Sequence, residues 1–180
     1  MDAKGQPIPD VAKEPKVDGS LIDIPGGGGT NWMPPSFDPD TGLFYVNATV
    51  GYSVGYLYDT DERPEGYGGG GRGLWSQHVL EALDSQTGKV RWTHAYSMAS
   101  SAGAGGLGGP GILTTAGKLL FTGDYSGNFI AFDPADGKIV WHFPTVQSVS
   151  NGPQTYLLDG TQYVVVGAGD TLFAFRVVGR

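Results

Sequence analysis

The chain has 180 residues, a formal net charge of −7, 31 Gly, 12 Pro and no Cys. That acidity, with no Lys/Arg cluster to override it, excludes a nucleic-acid binder, which must neutralise phosphates. The lack of Cys excludes disulfide, thiolate and zinc–sulfur chemistry within these residues. Apolar residues at 39% and aromatics at 12% are too many for a disordered chain, and Gly-rich turns between short β-branched and aromatic runs predict an all-β protein.

Residues 1–25 read as an extended N-terminal segment: "MDAKGQPIPDVAKEPKVDG" has no apolar centre and is not a secretory signal. No apolar run anywhere approaches the roughly 18 residues of a membrane span. From residue 26 to 180 the pattern is that of a repeating β-protein, with units expected around 28–75, 76–125 and 126–180. The first unit opens on "GGTNWMPPSFDPDTGLFYV", a polar loop that delivers Asn31 and Trp32 and then enters a strand.

Next comes "YDTDERPEGYGGGGRG" (58–73), a long insertion carrying Asp59, Asp61 and Glu62. Its spacing lacks the alternating oxygen ligands and turn glycine of a Ca²⁺ loop, so a solvated loop, able to roof a neighbouring channel, is the better reading. Arg72 at its end could meet a ligand carboxylate bidentately. "SQHVLEALDS" has mild helical character, but the repeat described below aligns it with a strand. "SAGAGGLGGPG" (101–111) leads into a strand and lacks the Lys-Ser/Thr of a phosphate cradle.

An internal repeat decides the fold. "EALDSQTGKVRW" (81–92) matches "IAFDPADGKIVW" (130–141) at Ala82/Ala131, Asp84/Asp133, Gly88/Gly137, Lys89/Lys138 and Trp92/Trp141, each pair 49 positions apart. "SFDPDTGLFYV" and "LFAFRV" are partial copies. In each unit a strand ends in an Asp-opened turn, a glycine supplies positive φ, and the next strand carries a Trp suited to pack on its neighbour. "KLLFTGDYSGNFIAF" reads as a hairpin turning at "DYSGN". A period of roughly 45 residues suits propeller blades, and the expected architecture is a partial β-propeller of about 3–4 four-stranded antiparallel blades. His78, His94 and His142 have no metal-ligand spacing and read as strand packing.

At these residues the chain resembles the quinoprotein dehydrogenases, the pyrroloquinoline quinone (PQQ)-dependent alcohol and sugar dehydrogenases. Their eight-bladed propellers carry a tryptophan-docking repeat, A-x-D-x-x-T-G-x-x-x-W. "ALDSQTGKVRW" fits it in full, and "AFDPADGKIVW" fits with Asp136 in place of Thr. "GGTNWMPPSFDPDTGLFYVNA", "GILTTAGKLLFTGDYSGNFIAFD" and "NGPQTYLLDGTQYVVVGAGDTLFAF" are similar, in the same order, to the family's C-terminal half. The resemblance implies that Asn31 contacts PQQ through its amide and that Trp32 lines the same chamber. It also implies a periplasmic location and a small alcohol or sugar substrate. In the family an Asp base takes the substrate's hydroxyl proton, hydride passes to the quinone, and Ca²⁺ or a lanthanide polarises the quinone carbonyl. That base, the metal ligands and a vicinal disulfide precede the matched region, so this chain is expected to supply no catalytic residue or metal ligand. Its expected partner is an N-terminal propeller half or a second copy of itself. "LGGPGILTTAG" lacks the Trp found there in alcohol-oxidising members, and "GAGD" lacks a Gly-Gly-Trp insertion of methanol-type members, which leaves alcohol and sugar both open. The alternative is a non-enzymatic propeller segment serving as a binding or assembly scaffold.

Overall fold

The computed structural model describes residues 2–22, 29–57, 69–101 and 109–176, with the backbone alone at 98–101. Apart from one 3-10 turn at Val11–Lys13, the described secondary structure is twelve strands in three antiparallel sheets. The first sheet contains β1 (Ser20–Ile22), β2 (Ser36–Asp38), β3 (Leu43–Tyr56), β4 (Gly70–Asp84) and β5 (Val90–Ser101). Its order is β1-β3-β4-β5, and β2 shares the β1 edge of β3. The second sheet runs β6 (Leu113–Thr115), β7 (Leu119–Gly123), β8 (Asn128–Phe132) and β9 (Ile139–Pro144) in sequence order. The third runs β10 (Gln154–Leu158), β11 (Thr161–Ala168) and β12 (Thr171–Arg176). The all-β expectation is borne out, and "SQHVLEALDS" is strand throughout.

The sheets stack face to face, and alternation along each strand sorts side chains between the two layers. Between the first and second sheets, Leu43, Tyr45, Leu80 and Ala82 pack on Leu120, Ile130 and Phe132. Between the second and third, Phe129 and Val149 pack on Val164, Val166 and Ala168. The middle sheet therefore buries both of its faces, with Leu120, Phe129 and Phe132 wholly removed from solvent.

The two copies of the repeat turn fold alike. Asp84 Oδ1 accepts the backbone N–H groups of Gln86 and Thr87, and Asp133 Oδ1 accepts that of Ala135. Gly88 and Gly137 follow at φ +68° and +73°, a region costly for side-chain-bearing residues. The Thr-to-Asp exchange is explained by the turn itself. Thr87 Oγ1 accepts the Lys89 N–H, and Asp136 Oδ1 accepts that of Lys138. The "DYSGN" hairpin closes by Asp124 N–H to the Asn128 carbonyl, while both Asp124 oxygens accept from Asn128.

Trp92 lies across the seam between the first two sheets. Its indole N–H donates to the Pro134 carbonyl at 3.0 Å, and the Tyr45 hydroxyl donates to the same oxygen at 2.9 Å. A Cβ built on Gly137 would stand 2.7 Å from the Trp92 ring, so only glycine admits the indole this close. Trp141 packs edge-on against Phe175 of the third sheet, with ring centroids 5.3 Å apart.

Candidate cofactor rim

Asn31 and Trp32 sit in the segment that enters β2, and the fold fixes that segment at both ends. The Gly29 carbonyl accepts the Thr49 N–H on the edge of β3, and the Pro34 carbonyl accepts the Ile112 N–H at 3.0 Å, immediately before β6. Between these ties Asn31 Oδ1 accepts the Trp32 backbone N–H at 2.8 Å. The Asn31 side chain is exposed, and Trp32 is 70% exposed. An amide with donor and acceptor character and a flat apolar ring thus stand side by side, in contact with solvent, on a segment of restricted freedom. Such a donor set suits a planar ligand rich in carbonyl oxygens.

The entry segments of all three sheets converge behind this pair. A Cβ on Gly111 would lie 2.6 Å from the Gly152 Cα and 2.7 Å from Pro34 Cγ. Pro34, Gly111 and Gly152 precede β2, β6 and β10 respectively, so the three strand entries touch backbone to backbone. This close approach seats the Asn31–Trp32 segment against the second and third sheets.

A buried polar network reinforces it. Asn47 Nδ2 donates to the Pro110 carbonyl and to Thr122 Oγ1, and its Oδ1 accepts the Tyr96 hydroxyl at 2.7 Å. Thr122 Oγ1 in turn donates to the Gly111 carbonyl at 3.1 Å. Burial pushes the Tyr96 hydroxyl far above its ordinary pKa, which keeps it a neutral donor. Sequence reading missed Asn47, Tyr96 and Thr122, because their partners come from other strands and the network leaves no local signal. A polar Asn within the apolar run "LFYVNATV" was the one available hint.

His78 is buried, its Nδ1 3.0 Å from Thr49 Oγ1 and its ring edge-on to Tyr125. His94 packs edge-on against Tyr96 and Phe132. Burial lowers the pKa of both imidazoles, opposed at His94 by the Asp124 charge. His142 lies exposed on β9. Arg72 pairs in register with Val54, five residues along β3 from the Thr49 tie, about 17 Å at strand rise, so the structure does not bring it to Asn31. Asp59, Asp61 and Glu62, and 102–108 of the Gly-rich stretch, lie outside the described residues. Among the described residues no group of three or more His, Asp or Glu is placed to hold a metal ion, and no helix is long and apolar enough to cross a membrane.

Comparison with known proteins agrees with this architecture. The PQQ-repeat family profile described as "Outer membrane protein assembly factor BamB" matches residues 76–178. The chain is 34% identical to the quinoprotein ethanol dehydrogenase of Pseudomonas aeruginosa, over 94% of its own length and 27% of that protein. It is 37% identical to the 1-butanol dehydrogenase (quinone) of Thauera butanivorans, over 86% of its length and 24% of that protein. Among solved structures, the quinohemoprotein alcohol dehydrogenase ADHIIG of Pseudomonas putida HK5 superposes with a TM-score of 0.66 at 26% identity, over 81% of this chain and 23% of that one. A europium-containing methanol dehydrogenase gives a TM-score of 0.62 at 26% identity, over 77% and 24%. The architecture is that of the PQQ-type propellers. The chain belongs to the PQQ-repeat family, among homologues named quinoprotein alcohol dehydrogenases, and spans about a quarter of the length of the relatives it matches.

Proposed function

We propose that this chain forms the C-terminal part of a periplasmic quinoprotein dehydrogenase and contributes Asn31 and Trp32 to the wall of its PQQ site. The supporting observation is the exposed Asn31–Trp32 pair on a segment tied at Gly29 and Pro34. Asn31 would offer its amide to the cofactor's oxygens, and Trp32 would cover an apolar edge and exclude water. The quinone, when bound, is the hydride acceptor. The base that takes the hydroxyl proton and the ligands of the Ca²⁺ or lanthanide ion would come from the remainder of the propeller, outside the described residues. Alcohol is favoured over sugar as the substrate class, because the relatives' names specify ethanol and 1-butanol. Each of the three sheets would be one blade, with Trp92 and Trp141 as the docking residues between them.

The test is PQQ binding by a complex of this chain with the remainder of the Pseudomonas aeruginosa relative, followed by cofactor absorbance after gel filtration. Asn31→Ala and Trp32→Ala should each weaken PQQ retention about tenfold, the loss of one hydrogen bond or ring contact, with unchanged complex formation. Retention equal to the parent in both variants would remove the pair from the site. The chain alone, given PQQ and Ca²⁺, should show no dye-linked alcohol oxidation, and turnover by it would contradict the assignment of base and metal ligands to another segment.

A further inference from the structure

The internal repeat allows each face of the stack to be compared with its counterpart. On the second sheet, the face that receives the first consists of Leu120, Ile130 and Phe132, with the Gly137 turn and the Pro134 carbonyl taking the Trp92 indole. The 49-residue offset and the strand registers map this face onto the first sheet. Phe132 and Ile130 correspond to Leu83 and Glu81, and the turn positions to Ser85 and Gly88. Leu120 pairs with Phe132 as Phe44 pairs with Leu83, so Leu120 corresponds to Phe44. Beside it Phe37 pairs with Phe44. The mapped positions are the outer face of the first sheet, pointing away from the packed core.

The two faces differ in cover. Leu120 and Phe132 are wholly buried, whereas Phe44 is 37% and Phe37 49% exposed. The indole of Trp92 crowds Gly137, whereas among the described residues nothing lies within 4 Å of the Cβ position of Gly88. Gly88 nevertheless keeps the positive φ and the Asp84-capped turn of its counterpart. The turn is built like one that accepts an indole, and the apolar side chains beside it are built like a covered face.

We propose that the outer face of the first sheet, formed by Phe37, Phe44, Leu83 and the Ser85–Gly88 turn, is the docking site for a tryptophan-bearing β-sheet. That sheet is supplied by the part of a quinoprotein-dehydrogenase propeller that this chain does not span. Its indole lies over Gly88 and donates its N–H to the Ser85 carbonyl, as Trp92 does at Gly137 and Pro134. A second copy of the chain is the poorer occupant, since the Trp141 it would present is already packed on Phe175. The roughly three quarters of the relatives' length outside the matched span supplies the partner. The inference rests on the family reading but not on the PQQ contact of Asn31 and Trp32.

The experiment is sedimentation velocity of the purified chain titrated with the remainder of the Pseudomonas aeruginosa quinoprotein ethanol dehydrogenase, produced as a separate polypeptide. The parent chain should form a one-to-one complex. Phe37→Glu and Phe44→Glu, made singly, should each weaken it at least tenfold. Val146→Glu, a charge placed at another exposed apolar residue, should leave it unchanged, and thermal melts of the free chains check that each variant is folded. Absence of a complex with the parent, equal binding by both Phe variants, or a homodimer that Phe44→Glu dissociates would each overturn the proposal. A complex that needs Phe37 and Phe44 but retains no PQQ would sustain this inference and remove the cofactor-wall reading. PQQ retention in a complex indifferent to both substitutions would do the reverse.

Discussion

Gly88 and Gly137 share a turn type but differ in surroundings, so a single methyl group separates backbone strain from crowding. Gly88→Ala places a side chain at φ +68° with open space around it, and should cost about 1 kcal/mol. Gly137→Ala adds the same strain and drives its Cβ to within 2.7 Å of the Trp92 ring, a further 1–3 kcal/mol or so of overpacking. Urea denaturation of both variants measures the gap, and equal losses would mean that Trp92 is not seated on Gly137. Asn47 carries a different kind of risk. Asn47→Ala leaves the buried Tyr96 hydroxyl and Pro110 carbonyl without their partner and should cost on the order of 3 kcal/mol. Combining it with Tyr96→Phe should be clearly less than additive, since both changes break the same bond.

At the scale of the strand, β4 and β5 each bring one histidine into the stack, and their burial sets a pH dependence. The folded pKa of His78 and of His94 lies below the ordinary value. The unfolded chain therefore takes up protons, below about pH 6.5, that the folded chain resists. Stability should rise with pH through that window and fall as pH drops below it. His94→Phe, which keeps a ring against Tyr96 and Phe132, should flatten the dependence of Tm between pH 7.5 and 5.5, and a slope unchanged in that variant would rule His94 out as a source. Asp84 acts in a separate, more acidic window. Its carboxyl is held low by the Thr87 hydroxyl and backbone N–H, so its contribution is lost only as pH falls through that depressed value.

The strands also mark what a sequence can and cannot disclose. The repeat, its turns and the strand character of β4 were legible because Asp, Gly and Trp at fixed offsets act within one hairpin. The Asn31–Trp32 loop was legible only by resemblance. The Asn47–Tyr96–Thr122 network, and the contact of Pro34 with Gly111 and Gly152, were not legible, because both arise between sheets whose stacking no local pattern encodes. The same holds for β1, which pairs with β3 at residues 53–55 and has no repeat counterpart to reveal it.

As a whole molecule, the chain is a stack in which each sheet touches only its neighbours, so its stability should be distributed as in a short one-dimensional array. The middle sheet is held by two apolar layers. The first sheet has one such layer, plus long β3–β4 pairing over fourteen partners. The third has one layer and three strands, with Leu157 and Leu172 each 73% exposed on it. Opening of the third sheet exposes one apolar layer and breaks few ladder bonds, whereas opening of the second breaks both layers and disrupts the whole stack. Native-state hydrogen exchange should therefore find the slowest amides in β7 and β8, at Leu119–Gly123 and Asn128–Phe132, and the fastest strand amides in β10. Binding of a partner to the first sheet alone should slow exchange at Phe44 and Leu83 while leaving β10 unaltered, since the added layer lies at the opposite end of the stack. Protection in β10 equal to that in β8 in the free chain would show that the three sheets unfold as one cooperative unit.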